Sequence, residues 1–246
     1  MAKTSGLGAR LFIGGFDLSG DTGAVQRIAG GCAPIDVTGI DKSAMERIGG
    51  LRDGGIEWSS FFNPTGAHPV LSALPTADVL ATYCHGTTLG NPAACCIGKQ
   101  IDYAPTRAND GALTMAVAVQ ANGFGLEWGV QATAGQRTDT TATAGTAFDA
   151  AGGATTNFGV QAYLQVFSFT GTSVTVKLQE SSDNAGDAYV DVVGGGFVAA
   201  SAVGTQRIAT ATNLAVERFL KVTTTGTFTE ATFHVVVVRN LAAPAF

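Results

Sequence analysis

Residues 113–119 read Leu-Thr-Met-Ala-Val-Ala-Val, and alternation of this kind limits the chain more than any other feature. Side chains on a strand point to opposite faces in turn, so Leu113, Met115, Val117 and Val119 share one face and Thr114, Ala116 and Ala118 the other. A half-buried antiparallel strand is the expected result. The pattern recurs along the chain. Val174, Val176 and Leu178 oppose Ser173, Thr175, Lys177 and Gln179, and Ile56, Trp58 and Phe62 oppose Glu57 and Ser59. "RLFIGGFDLSG" predicts a hairpin, because a Gly-Gly pair supplies the positive φ of a two-residue turn. "PIDVTG", "ACCIGKQIDYAPTR" and "GLEWGVQAT" predict further strands. "FHVVVVRN" is apolar on both faces, so it is either central in a sheet or packed on another subunit.

One helix is predicted, in "HPVLSALPTADVLATYCHG". Thr76 can cap it after Pro75, and Gly86 stops it. Residues 135–147, "GQRTDTTATAGTA", are small and polar without apolar periodicity and read as a linker. The expected division is a first domain over 1–134, the linker over 135–147, and a β-sandwich over 148–246, where short strands follow one another with turns between. The fold class is mainly β with one helix.

Charged residues make up 13% of the chain, about half the ~25% of an ordinary globular protein. So few charges suggest that partners cover part of the surface. The net charge of −5 is spread over both halves, with no basic footprint for nucleic acid. No run approaches the ~18 apolar residues of a membrane span, and the N-terminal residues lack the apolar core of a secretory signal. The four cysteines, at 32, 84, 95 and 96, follow no framework spacing, so reduced thiols are expected.

No motif spells a catalytic site. Cys84-His85 with Cys95-Cys96 lacks zinc-ligand spacing, and neighbours on a strand point apart. Buried cysteine acts as a small hydrophobe instead. The three histidines, His68, His85 and His234, come with no nucleophile motif. "SSDNAGDAYVD" resembles turn chemistry more than a calcium loop. "SGLGAR" has neither the preceding strand nor the following Lys-Ser/Thr of a phosphate loop. The expectation is a protein that is not an enzyme and has no cofactor and no metal site.

Charge is concentrated in one place. Within "VTGIDKSAMERIGGLRDGGIEWSSFFN", a loop running from Asp41 to about Asp53 carries Asp41, Lys42, Glu46, Arg47, Arg52 and Asp53. Interleaved signs favour ion pairing over a raised-pKa acid or a metal cage. Together with the N-terminal "LFIGGFDLSGD" and the helix and strands that follow, this segment resembles the major tail tube proteins of long-tailed, siphovirus-type bacteriophages. The resemblance covers roughly residues 5–134, and the C-terminal half resembles the accessory β-sandwich domains of such proteins.

The resemblance implies a virion structural protein. Its copies would form homo-hexameric rings, closed as a β-barrel and stacked into a tube. DNA would pass through without specific binding. The partners would be other copies and further tail proteins (tape measure, terminator and distal tail components), with no membrane. Assembly would occur in the host bacterial cytoplasm, and the product would reside in the virion tail. The six charged residues of the loop would then contact a neighbouring subunit or ring. Mixed charges fix register and reject wrong partners more than they add affinity. Two other readings stand beside this one. The first is a capsid decoration or distal tail protein that binds host carbohydrate through the C-terminal sandwich. The second is a hydrolase of surface polymer, which would need a carboxylate pair.

Overall fold

The computed structural model describes residue 3, residues 5–150 and residues 156–242. The outer ends of the expected domains, at positions 1 and 246, lie outside the described residues. The elements are β1 (Arg10–Ile13), β2 (Phe16–Asp17), β3 (Thr22–Asp36), β4 (Arg47–Phe61), α1 (Ala67–Leu71), β5 (Val79–Cys84), β6 (Pro92–Arg107) and β7 (Leu113–Ala121). There follow β8 (Glu127–Gln131), β9 (Arg137–Asp139), β10 (Phe148–Asp149), β11 (Val160–Ser181), β12 (Val190–Gly196), β13 (Gly204–Ala209) and β14 (Phe219–Arg239). The chain is mainly β, as the alternation dictates. Among the described residues no helix is long and apolar enough to cross a membrane.

Two compact units form, and neither is continuous in sequence. One comprises Met1–Ser19, Thr82–Cys95 and Trp128–Phe246, the other Gly20–Ala81 and Cys96–Glu127. Residues 135–147 contain β9, whose Arg137, Thr138 and Asp139 pair with Phe233, Thr232 and Ala231 of β14. Arg137 holds Asp139 at 2.7 Å, and Asp139 is buried.

In the first unit the long strands β11 and β14 pair antiparallel from Val160↔Arg239 to Ser181↔Phe219. β12 and β13 flank β11, while β8, β9 and β10 flank β14. The final valine run is therefore central, and Val235, Val236 and Val237 are fully buried. Leu164, Leu178, Val222 and Phe233 belong to the same core. β11 is a single strand of 22 residues with register shifts beside Gly171. In the β1–β2 hairpin Ile13 pairs with Phe16 across Gly14 and Gly15, at φ of 61° and 88°. Both values lie in the left-handed region that the turn demands.

In the second unit β3, β4, β7 and the distal part of β6 form an antiparallel sheet in that order. Ile56, Trp58, Met115, Val117 and Val119 are buried on one face. Trp58 donates its indole N–H to Ser60 at 3.1 Å, which satisfies the buried polar atom. The helix expected over 68–86 is reduced to α1, residues 67–71. Asp21 caps it from a distance, accepting the Ala67 N–H at 2.9 Å. Residues 79–84 are strand β5 instead, buried at all but Val79 and Tyr83. Pro75 interrupts the helical run, and burial of the following "VLATYC" on both faces of a sheet decides its conformation.

Candidate assembly surface

β3 and β4 are each 15 residues long and pair as a ribbon. Near α1 the ribbon is part of the sheet, with Val25↔Trp58 and Ile28↔Ile56 in register. Beyond Gly30↔Gly54 it is exposed on both strands, and Cys32↔Arg52, Ile35↔Ile48 and Asp36↔Arg47 continue the pairing. A two-stranded ribbon without a packed face is only marginally stable in water, so its order rests on its own polar contacts.

Those contacts are concentrated in the turn. Asp36 accepts from the Thr38 backbone N–H at 2.9 Å and from its hydroxyl at 2.6 Å. The Thr38 hydroxyl oxygen in turn accepts the Glu46 N–H at 2.9 Å. Val37 donates its N–H to the Glu46 carbonyl at 3.0 Å. The side-chain hydrogen bond from Thr38, followed by the backbone one, holds the Asp36 carboxyl below the usual carboxylate range. Lys42 lies 3.5 Å from Glu46 and 3.9 Å from Asp41.

The six charged residues thus fall into separate places. Asp41, Lys42 and Glu46 form one cluster in the turn. Arg47 begins β4, and its guanidinium contacts the Met45 sulfur at 2.7 Å. Arg52 and Asp53 sit at the root of the ribbon. There Arg52 reaches Glu127 at 3.3 Å, and Asp53 accepts from Gln120 at 2.7 Å. Arg47, Arg52 and Asp53 are therefore strand residues and not loop residues. Their charges interrupt the apolar alternation by which a strand is recognised, yet the backbone still pairs with β3.

The ribbon also carries a set of apolar residues that charge patterning does not reveal. Ile40 is fully exposed at the tip, Leu51 is 89% exposed, and Ile35, Val37, Met45 and Ile48 are each about half exposed. The available signal was the isoleucines at 35, 40 and 48 inside a polar stretch. Clustered exposed apolar groups mark interaction surfaces, whereas scattered ones do not.

The cysteine and histidine candidates are distributed elsewhere. Cys84, Cys95 and Cys96 are buried, and Cys32 is exposed. Cys84 lies 3.3 Å from Nε2 of buried His234. The Gly135 carbonyl, 2.8 Å from Nδ1, can only accept, so Nδ1 carries the proton and Nε2 accepts from the thiol. Burial lowers the His234 pKa to about 4. Burial also raises the Cys84 thiol far above its ordinary range and Cys96 to about 12. A base held neutral beside a thiol held protonated is packing chemistry, since a thiolate nucleophile needs the opposite shifts. His68 bonds the Tyr103 hydroxyl and packs against Phe62. Among the described residues no three His, Cys, Asp or Glu side chains are grouped to hold a metal ion.

No family model matches the chain, and no curated protein does. Among solved structures it is similar to a chain from the virion of a native gene transfer agent particle, at 14% identity and a TM-score of 0.39. That match covers 51% of this chain and 98% of the other. It is also similar to the SPP1 Dit protein, described as a paradigm of the hub adsorption apparatus in phages infecting Gram-positive hosts. There the identity is 15% and the TM-score 0.34, over 94% of this chain and 98% of the other.

Proposed function

We propose that this protein is a structural component of a phage-type tail, and that its copies assemble into stacked hexameric rings forming the tube through which the genome passes. The observation that carries this reading is the β3–β4 ribbon. It is ordered by its own hydrogen bonds, and it presents Ile40, Leu51 and neighbouring apolar groups to solvent. Preordering lowers the cost of association, and exposed apolar groups supply its driving force. The mixed charges of Asp41, Lys42, Glu46, Arg47, Arg52 and Asp53 fix the register in which another copy docks. A net charge of −5 also suits a wall along which DNA slides, because clustered cations would hold the phosphates.

Negative-stain electron microscopy across a concentration series, followed by immunogold labelling of intact particles, tests the proposal. The expected result is rings or tubes with a central hole, and gold along the length of the tail. Gold confined to the tail tip would overturn the tube assignment in favour of a distal tail protein. Gold on the capsid would overturn it in favour of a decoration protein.

A further inference from the structure

The root of the ribbon has an unusual construction. Gly30 and Gly31 on β3 face Gly54 and Asp53 on β4, and Gly55 pairs with Ala29. Register shifts flank this step on both sides, between Val25 and Arg27 and between Cys32 and Pro34. Glycine weakens a strand and side chains are missing there, so the ladder is least stiff at this level. Bulges add bend and twist on either side.

Residues 125–127 lie directly on that weak step. A Cβ at Gly54 would sit 2.6 Å from the Leu126 Cβ, and one at Gly30 would sit 3.0 Å from it. A Cβ at Gly125 would meet the Arg52 Cβ at 3.1 Å. The missing side chains are what let the two backbones approach. Leu126 is buried in this contact, only 6% exposed, and Glu127 next to it holds Arg52 at 3.3 Å.

We propose that the ribbon is a hinged arm, with its pivot at Gly30–Gly31 and Gly54–Gly55, and that Leu126 and Glu127 form a clamp fixing its angle. The pivot supplies compliance, the apolar contact closes over it, and the Arg52–Glu127 pair stops rotation. Releasing the clamp lets residues 32–52 swing as one piece, because the bonds of the turn lie entirely beyond the pivot and Asp53, held by Gln120 at 2.7 Å, stays with the sheet. On the reading that the arm carries the assembly contacts, the clamp presets the direction from which a neighbour is engaged. The hinge itself does not depend on that reading.

The test measures distance in the full-length protein under conditions where it is monomeric. Spin labels are placed at Ile40→Cys and at exposed Ala104→Cys of β6, in a Cys32→Ser background. The buried Cys84, Cys95 and Cys96 stay unlabelled in the folded protein. The clamped protein should give one narrow distance distribution. Leu126→Ala with Glu127→Gln should broaden it or add a second peak, raising the unclamped population roughly thirtyfold or more, as expected for truncating a buried leucine. Hydrogen exchange in residues 25–28 and 56–60 should stay slow. An unchanged distribution would overturn the hinge. So would exchange rising along the whole hairpin, since that is unfolding and not rotation. If the double variant does not fold, Glu127→Gln alone gives the same comparison with a smaller shift. Loss of assembly with an unchanged distribution would leave the tube reading intact and refute the hinged arm with its clamp.

Discussion

Lowering the pH from 7 to 5 should cost this protein about 2 kcal/mol through one imidazole, that of His234. The ring is buried with its Nδ1 proton on the Gly135 carbonyl and its Nε2 facing the Cys84 thiol. Its pKa falls to about 4 in the folded chain, chiefly by burial, from an ordinary value of 6.5. In the window between these values the unfolded chain binds a proton that the folded chain refuses. Stability therefore rises with pH across the window. The contribution is complete above about 6.5 and lost as pH falls toward about 4. The full difference is on the order of 3 kcal/mol, at about 1.36 kcal/mol per pKa unit.

Other groups titrate nearby. Glu180, raised chiefly by burial, acts in the opposite sense, because protonation favours its folded state. Asp36, Asp78 and Asp191, lowered first by bonds from Thr38, Lys99 and Lys177, lose their contributions only below the ordinary carboxylate range. The informative quantity is therefore the difference between the natural protein and His234→Gln. Denaturant unfolding followed by near-UV circular dichroism from pH 4 to 7 should give profiles that converge as the pH falls, because the natural protein loses its advantage. Parallel profiles would refute the reasoning, for the imidazole would then titrate alike in both states.

The four thiols should divide one against three: a disulfide reagent titrates Cys32 at once and Cys84, Cys95 and Cys96 only after unfolding. Cys32→Ser should abolish the fast phase. Gly15→Ala places a Cβ 2.8 Å from the Val166 carbonyl at a φ of 88° and should cost roughly 2 kcal/mol by equilibrium unfolding. Gly14→Ala, which meets open space at a φ of 61°, should cost about 1 kcal/mol. Equal costs would show that the close approach does not matter. Ile40→Asp should leave the melting temperature unchanged, because the side chain is fully exposed. It should abolish rings and tubes in the microscope, and normal assembly by this variant would exclude the tip as a contact.

Elements with one wet and one dry face were the legible ones. β7 alternates Met115, Val117 and Val119 inward, and β4 does the same with Ile56 and Trp58. The β1–β2 turn could be read from two glycines, because few residues accept that backbone. Legibility failed where burial is two-sided or side chains are small. Buried on both faces, β5 shows no period of two that would set it apart from the helical run before it. Thr138 and its neighbours in β9 lie in a segment of threonine, alanine and glycine, and only pairing with β14 makes a strand of it. At the candidate surface the charges stood out against a charge-poor background. The apolar residues did not, since nothing in a sequence says that an isoleucine has no neighbour to pack on. The clamp by Leu126 joins residues far apart in sequence and was invisible for that reason.

The placement of β14 has a consequence for synthesis. The unit containing Gly20–Ala81 and Cys96–Glu127 has all its residues once the ribosome has passed position 127, so it can fold while the rest is still being made. The other unit cannot. Its central strand spans Phe219–Arg239, and β8, β9, β10 and β11 all pair with it. Until those residues emerge, strands already made have open edges in a crowded cell, which is a hazard for aggregation. Late closure of this kind also favours slow folding, because contacts between distant residues form only after a long loop has closed. A chain interrupted before β14 would thus retain one unit able to fold and a second left as unpaired strands, a state that the quality-control proteases of the cell could distinguish from the finished protein.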